Sequence, residues 1–116
     1  MMNRREMIKE YKNSLRPMGI VQVKNLRNGR VYLAASANTQ GTINSMRFQL
    51  KMGTFLPSPG LAQDWKELGE ESFVIEVLDE LKPVDDDPTH DYRDDLKALE
   101  TMWLEKLKPF GERGYH

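Results

Sequence analysis

The chain has 116 residues, no cysteine and a formal net charge of −1, with 39% hydrophobic and 30% charged residues. That composition suits one soluble globular domain with one modest core. It excludes a disulfide framework, a thiolate zinc site and a cysteine nucleophile. No apolar run approaches the roughly 18 residues that a membrane-spanning helix needs. Residues 1–10 are charged and lack the apolar stretch of a secretory signal, so a cytoplasmic location and no membrane role are the default expectations.

The small net charge hides an asymmetry. Residues 1–60 hold ten Lys/Arg against two acids, and the remaining residues hold seven against sixteen. A basic half can attract a polyanion, or the two halves can neutralise each other across the fold.

The elements follow in chain order. Asn3 with Glu6 makes a capping box, and Ile8, Tyr11 and Leu15 then share one helical face up to Pro17. This amphipathic helix over residues 1–16 is a candidate docking element, toward a protein partner or a second copy of the chain. Residues 17–116 form the domain proper. It opens with strands over 19–26 and 31–35, joined at Asn28-Gly29, the strongest short hairpin signal because both central positions of that turn take positive φ.

Ser36 or Asn38 then caps a helix that runs to about Met52. Ile43, Met46, Arg47 and Leu50 lie on one side, and Gly53 is the stop. Ser58-Pro59 opens a second, short helix with Leu61, Trp65 and Leu68 as its stripe, ended by Gly69. Residues 73–78 are nearly all β-branched or large and apolar, which reads as a central strand covered on both faces. An acidic loop with Asp85-Asp86-Asp87 and a solvated His90 precedes a last helix over about 91–107, which Pro109 and Gly111 end. The fold class is therefore α+β, a small three-stranded antiparallel sheet flanked by helices, plus the N-terminal helix.

Several features in this order resemble the GIY-YIG endonuclease superfamily. Gly19-Ile20-Val21 stands at the first motif, and Asn28-Gly29-Arg30-Val31-Tyr32-Leu33-Ala34 at the turn and second motif. Trp65, Gly69 and Phe73 resemble the approach to the third strand. The run from Leu99-Glu100 to Leu107-Lys108-Pro109 resembles the glutamate helix, and Gly114-Tyr115-His116 the terminal motif. The likeness spans residues 18–116. It implies a GIY-YIG-like domain that hydrolyses phosphodiesters with one divalent cation, Mg or Mn, held by the glutamate, while a tyrosine positions water and an arginine stabilises charge on the phosphate.

The departures are specific. Val21 replaces the first tyrosine, Ala34 the second motif's glycine, Thr42 the arginine, Met46 a frequent histidine, and His116 the terminal asparagine. The resemblance leaves Tyr32 and Glu100 as catalytic candidates, with Glu100 also the metal ligand. Arg47 and His116 are weaker candidates. Arg47 lies five residues past Thr42, about 140° round the helix, and His116, as the last residue, is expected to be mobile.

Glu100 is notable without the family, because it falls within the apolar arc of Leu96, Leu99, Trp103 and Leu107, where a carboxylate needs a partner or an open pocket. A structural glutamate bonded to a lysine, a tyrosine or backbone amides would look the same. Arg27, Arg30, Arg47 and Lys51 are the candidate nucleic-acid contacts, with DNA the implied partner of the basic half. Three functions remain: an impaired nuclease-like domain that binds nucleic acid or regulates, an active divergent endonuclease, and a protein-interaction module.

Overall fold

The computed structural model describes residues 16–83 and 90–116. The expected N-terminal helix, apart from Arg16, and the Asp85-Asp86-Asp87 run lie outside them. The elements are β1 (Met18–Asn25), β2 (Val31–Ser36), α1 (Thr39–Met52), α2 (Pro59–Leu68), β3 (Phe73–Leu81) and α3 (Arg93–Leu107), with 3-10 turns at Glu70–Ser72 and Gly111–Arg113. The sheet is antiparallel throughout with order β2-β1-β3, the α+β class that the pattern implies.

The central strand is β1, not the apolar run at residues 73–78. β3 is an edge strand that leaves Glu76 exposed and Val77 44% exposed. β1 is less hydrophobic in sequence, yet a neighbour on each side and helices on both faces bury it almost throughout. Its polar residues are accommodated by partners. The buried Gln22 amide donates to Glu76 across the β1–β3 pair at 3.2 Å. Strand polarity misleads because pairing, rather than composition alone, decides which strand is covered.

The two sheet faces are unequal. Val21 and Val23 of β1 join Phe73, Ile43, Met46 and Leu50 of α1, Phe55, and Leu61 and Trp65 of α2 in the larger core. On the opposite face, Met18 packs with Tyr92 and Leu96, with Ala35 and Leu81 against them. A bulge between Ile20 and Val21 shifts the β1–β3 register. Gly19 allows the close approach beside it, since a Cβ there would lie 2.0 Å from the Asp79 carbonyl oxygen.

The helix ends form as the sequence suggests. The Asn38 side chain accepts from Gly41 N–H, Gly53 adopts φ 74° past α1, and Ser58 accepts from Leu61 N–H. The hairpin forms, but not through a two-residue Asn-Gly turn. Only Gly29 has positive φ, at 78°. Asn25 N–H donates to Arg30 C=O, and the Asn25 side chain accepts from Arg27 and Asn28 N–H. These side-chain bonds stabilise a longer loop at the position where the tight turn was expected.

Asn25, with no exposed surface, also ties the end of the chain to the core. Its amide donates to the Tyr115 hydroxyl at 3.1 Å, and that hydroxyl donates to Asp64 at 2.7 Å. Burial first, and the bond to Asp64 next among the raising influences, push the Tyr115 phenol up to about 12. Because its proton is retained to higher pH in the folded state, this stabilisation is intact below pH 10 and is lost as pH rises toward 12. Tyr115→Phe leaves the buried Asn25 donor without its acceptor, so thermal melts at neutral pH should show a loss of about 1–3 kcal/mol. The loss should narrow between pH 10 and 12, and an unchanged melt at neutral pH would refute this role.

Candidate functional site

β2 is an edge strand, and its outward backbone groups belong to alternate residues, Val31, Leu33 and Ala35. On each of the three, one such group is bonded to a different partner. Val31 C=O accepts from Tyr115 N–H at 3.0 Å. Leu33 N–H donates to His116 Nε2 at 2.9 Å, and Ala35 N–H donates to Glu100 Oε2 at 3.0 Å. Leu33 and Ala35 are two residues apart, about 7 Å along a strand, so the edge itself sets the imidazole and the carboxylate side by side.

Tyr32 lies between these anchors in sequence and turns its ring to the α1 face. There it meets Phe55 edge-on, with centroids 5.5 Å apart, and stacks on His116 at 4.7 Å with the rings 3° from parallel. The structure thus brings together three of the four candidate catalytic residues. His116 is not left as a loose terminus. Its N–H donates to Pro109 C=O at 3.0 Å, its ring rests on Tyr32, and the Tyr115 clamp precedes it. Glu100 is partly buried within the apolar arc of α3, and a backbone amide is its partner.

Arg47, the fourth candidate, lies apart. It is exposed on α1 and lines a recess with Trp65, Glu70, Phe73 and Ile75, toward β3. The recess beside Tyr32, about 240 Å³, is lined by Ala34, Thr42, Ser45, Met46, Gln49, Phe55 and Pro57. The Thr42 hydroxyl is hydrogen-bonded to Ser36. The 140° between Thr42 and Arg47 round the helix is realised as two separate recesses.

The other basic candidates are spread out. Arg27 Nε donates to Ser72 Oγ at 3.0 Å, Arg30 sits on the hairpin loop, and Lys51 is exposed in the last turn of α1. His90 is not simply solvated: its Nε2 lies 2.7 Å from Asp95, and its ring packs on Tyr92.

The three converging side chains are electrostatically linked. Burial, then the Glu100 charge, raises the Tyr32 phenol above its ordinary 10.0. Burial lowers His116 below its ordinary 6.5, and Glu100 opposes that shift. Because Nε2 accepts the Leu33 N–H, the neutral ring carries its proton on Nδ1.

A divalent cation finds one opening in this donor set. Glu100 Oε1 makes no hydrogen bond among the described residues, while His116 Nε2 is already engaged. No group of three or more His, Asp or Glu side chains there could hold a metal. A magnesium-type ion held by one carboxylate, water and substrate phosphate is compatible with such a site.

The architecture, with α1 and α2 on one face of β2-β1-β3 and α3 on the other, is the GIY-YIG nuclease fold. The particular neighbours are two solved structures of one protein. The catalytic domain of homing endonuclease I-TevI matches with a TM-score of 0.68 and 22% identity, covering 84% of this chain and 95% of that one. A glutamate-to-alanine mutant of that catalytic domain matches with a TM-score of 0.68 and 21% identity, covering 86% and 92%. No family model matches the chain, and no curated protein sequence does. No helix among the described residues is long and apolar enough to cross a membrane.

Tyr32, Glu100 and His116, the residues named from the sequence, lie together, whereas the clamp from Asn25 through Tyr115 to Asp64 and the exposed Phe110 beside His116 were not foreseen. Asn25, a polar residue beside the hairpin turn, was the available signal for the clamp.

Removing the Glu100 charge should move both neighbours the same way. In an NMR pH titration, Glu100→Ala should lower the Tyr32 midpoint and lower the His116 midpoint further. In the unsubstituted protein the Leu33 amide signal should follow His116. Its bond holds above the ordinary imidazole range and is lost as pH falls through the depressed folded value. A His116 midpoint that rises in the variant would contradict the proximity of the two groups.

Proposed function

We propose that this chain is a GIY-YIG nuclease-like domain with impaired catalysis that acts through nucleic-acid binding or regulation. The observation that carries the reading is the recess beside Tyr32: where a fixed cation would face a phosphate, the lining side chains are Thr42, Ser45, Met46 and Gln49. Loss of one positioned donor to developing negative charge typically costs about 10²–10³ in rate. Glu100 and a phosphate are both negative, so without an opposing charge their approach is unfavourable.

Glu100 is the residue that would hold a Mg or Mn ion. Such an ion, when bound, neutralises phosphate charge and polarises the phosphoryl oxygen. Tyr32 and the Nδ1–H of His116 would orient a bound oxygen beside it. The convergence of Tyr32, Glu100 and His116 favours the second reading, an active divergent endonuclease. The likeness to an endonuclease catalytic domain supports a nucleic-acid polymer, DNA in particular, as the partner in either case.

One set of assays separates the readings. Single-stranded, duplex and branched DNA are incubated with excess protein and Mg or Mn, beside Glu100→Ala. The expected result is no metal-dependent cleavage above the variant, and cleavage abolished by Glu100→Ala would overturn impairment. Binding is followed by fluorescence anisotropy across salt. Affinity should fall as salt rises, and Arg27→Gln with Arg30→Gln should reduce the log–log slope by about one for each phosphate no longer neutralised. Absence of binding at low salt would remove the nucleic-acid role.

A further inference from the structure

The Tyr32–His116 stack does not end at His116. One face of the imidazole lies on Tyr32, while His116 as a whole remains exposed. Phe110 approaches it with centroids 6.5 Å apart and rings at 69°, and is itself 52% exposed. Three aromatic rings thus run from the α1 face of the sheet out to solvent.

Phe110 is held in place by local backbone structure. Lys108 adopts φ 47° at the end of α3, Phe110 N–H donates to Lys108 C=O at 2.8 Å, and Arg113 N–H donates to Phe110 C=O at 3.1 Å. His116 is fixed in turn by Pro109, Leu33 and Tyr32. A surface already ordered loses little entropy when a flat ligand settles on it.

Exposed cations lie on the Phe110 segment, with Glu112 among them and the Glu100 charge acting on His116. Lys108 and Arg113 are exposed on the same short segment. Arg113 also lines a recess of about 370 Å³ with Lys24, Asn28 and Glu112 between this segment and the hairpin loop. Flat rings beside flexible cations match a base attached to a phosphate backbone. In a duplex both faces of each base are already stacked on neighbours, so an unpaired base is the form that can enter.

We infer that the His116 ring, backed by Tyr32 and flanked by Phe110, is a stacking seat for an unpaired base of single-stranded nucleic acid. This rests on the nucleic-acid reading above and adds to it the form of polymer recognised. Phe110 is the residue whose role is new, because it lies outside every motif that carries the resemblance.

The test uses the full chain and one oligonucleotide containing 2-aminopurine, as a single strand and as a duplex, with anisotropy and base fluorescence read together. The single strand should bind more tightly, with the 2-aminopurine signal quenched on binding. Phe110→Ala should weaken single-strand binding at least about fivefold and leave duplex binding unchanged. His116→Ala, which removes the ring on which the base would stack, should likewise weaken single-strand binding at least about fivefold. Nucleic-acid binding with no quenching, or unaffected by Phe110→Ala, overturns the seat and leaves the binding reading intact. Failure to bind either form overturns both.

Discussion

An edge strand must satisfy its outward backbone groups or leave a template for unwanted pairing. In this domain three groups on the outer edge of β2 are bonded to unlike partners: the backbone of Tyr115, the imidazole of His116 and the carboxylate of Glu100. Each draws a different part of the chain to one line. The C-terminal segment is brought alongside β2, α3 is pinned across the sheet, and Tyr32 is enclosed between the larger core and the imidazole. The geometry of the candidate site is therefore a consequence of closing a sheet edge.

That closure depends on a polar interaction deeper in the fold. Asn25 is fully buried at the end of the central strand, and its side chain serves two purposes. Its oxygen organises the hairpin loop through Arg27 and Asn28, and its amide holds the Tyr115 hydroxyl, which in turn reaches Asp64. A second tie, from Ser58 Oγ to the Tyr115 carbonyl, links the tail to the start of α2. A buried polar network stabilises only when every member is satisfied. Gly114 admits no side chain here, since a Cβ would lie 2.3 Å from the Pro109 carbonyl oxygen. The tail's path is thus set by sterics on one side and by hydrogen bonds on the other.

This division explains what was legible in the sequence. Helix ends announce themselves locally, so Asn38, Gly53, Ser58 and Gly69 could be read directly. The hairpin was legible, but its loop geometry was not, because the competing acceptor, Asn25, sits three residues before the Asn-Gly pair. The order of strands was misread because residues 73–78 carry more apolar bulk than β1, while coverage depends on pairing that no local pattern records. Glu100 stood out by helical phase, yet nothing in its own neighbourhood named Ala35 as its partner, 65 residues earlier in the chain. Bonds between distant segments are the part of a site that periodicity cannot supply.

The edge bonds also bear on what the surviving residues mean. Glu100 and His116 each have a structural task that accounts for their position with no reference to chemistry. A carboxylate has two oxygens, however, and the edge engages one of them. An imidazole has two nitrogens, and the edge engages Nε2, leaving Nδ1 as a donor. Both groups act on Tyr32, one by stacking and the other by its charge, so the structural role fixes orientation without consuming all of the polar capacity. Among the described residues, the turn of α1 that faces Tyr32 carries Thr42 and Met46 and no cation, while Arg47 lines the recess toward β3. A site of this kind can hold and orient a polar group. Its capacity to stabilise a second negative charge depends on a cation that the described side chains lining the Tyr32 recess do not supply.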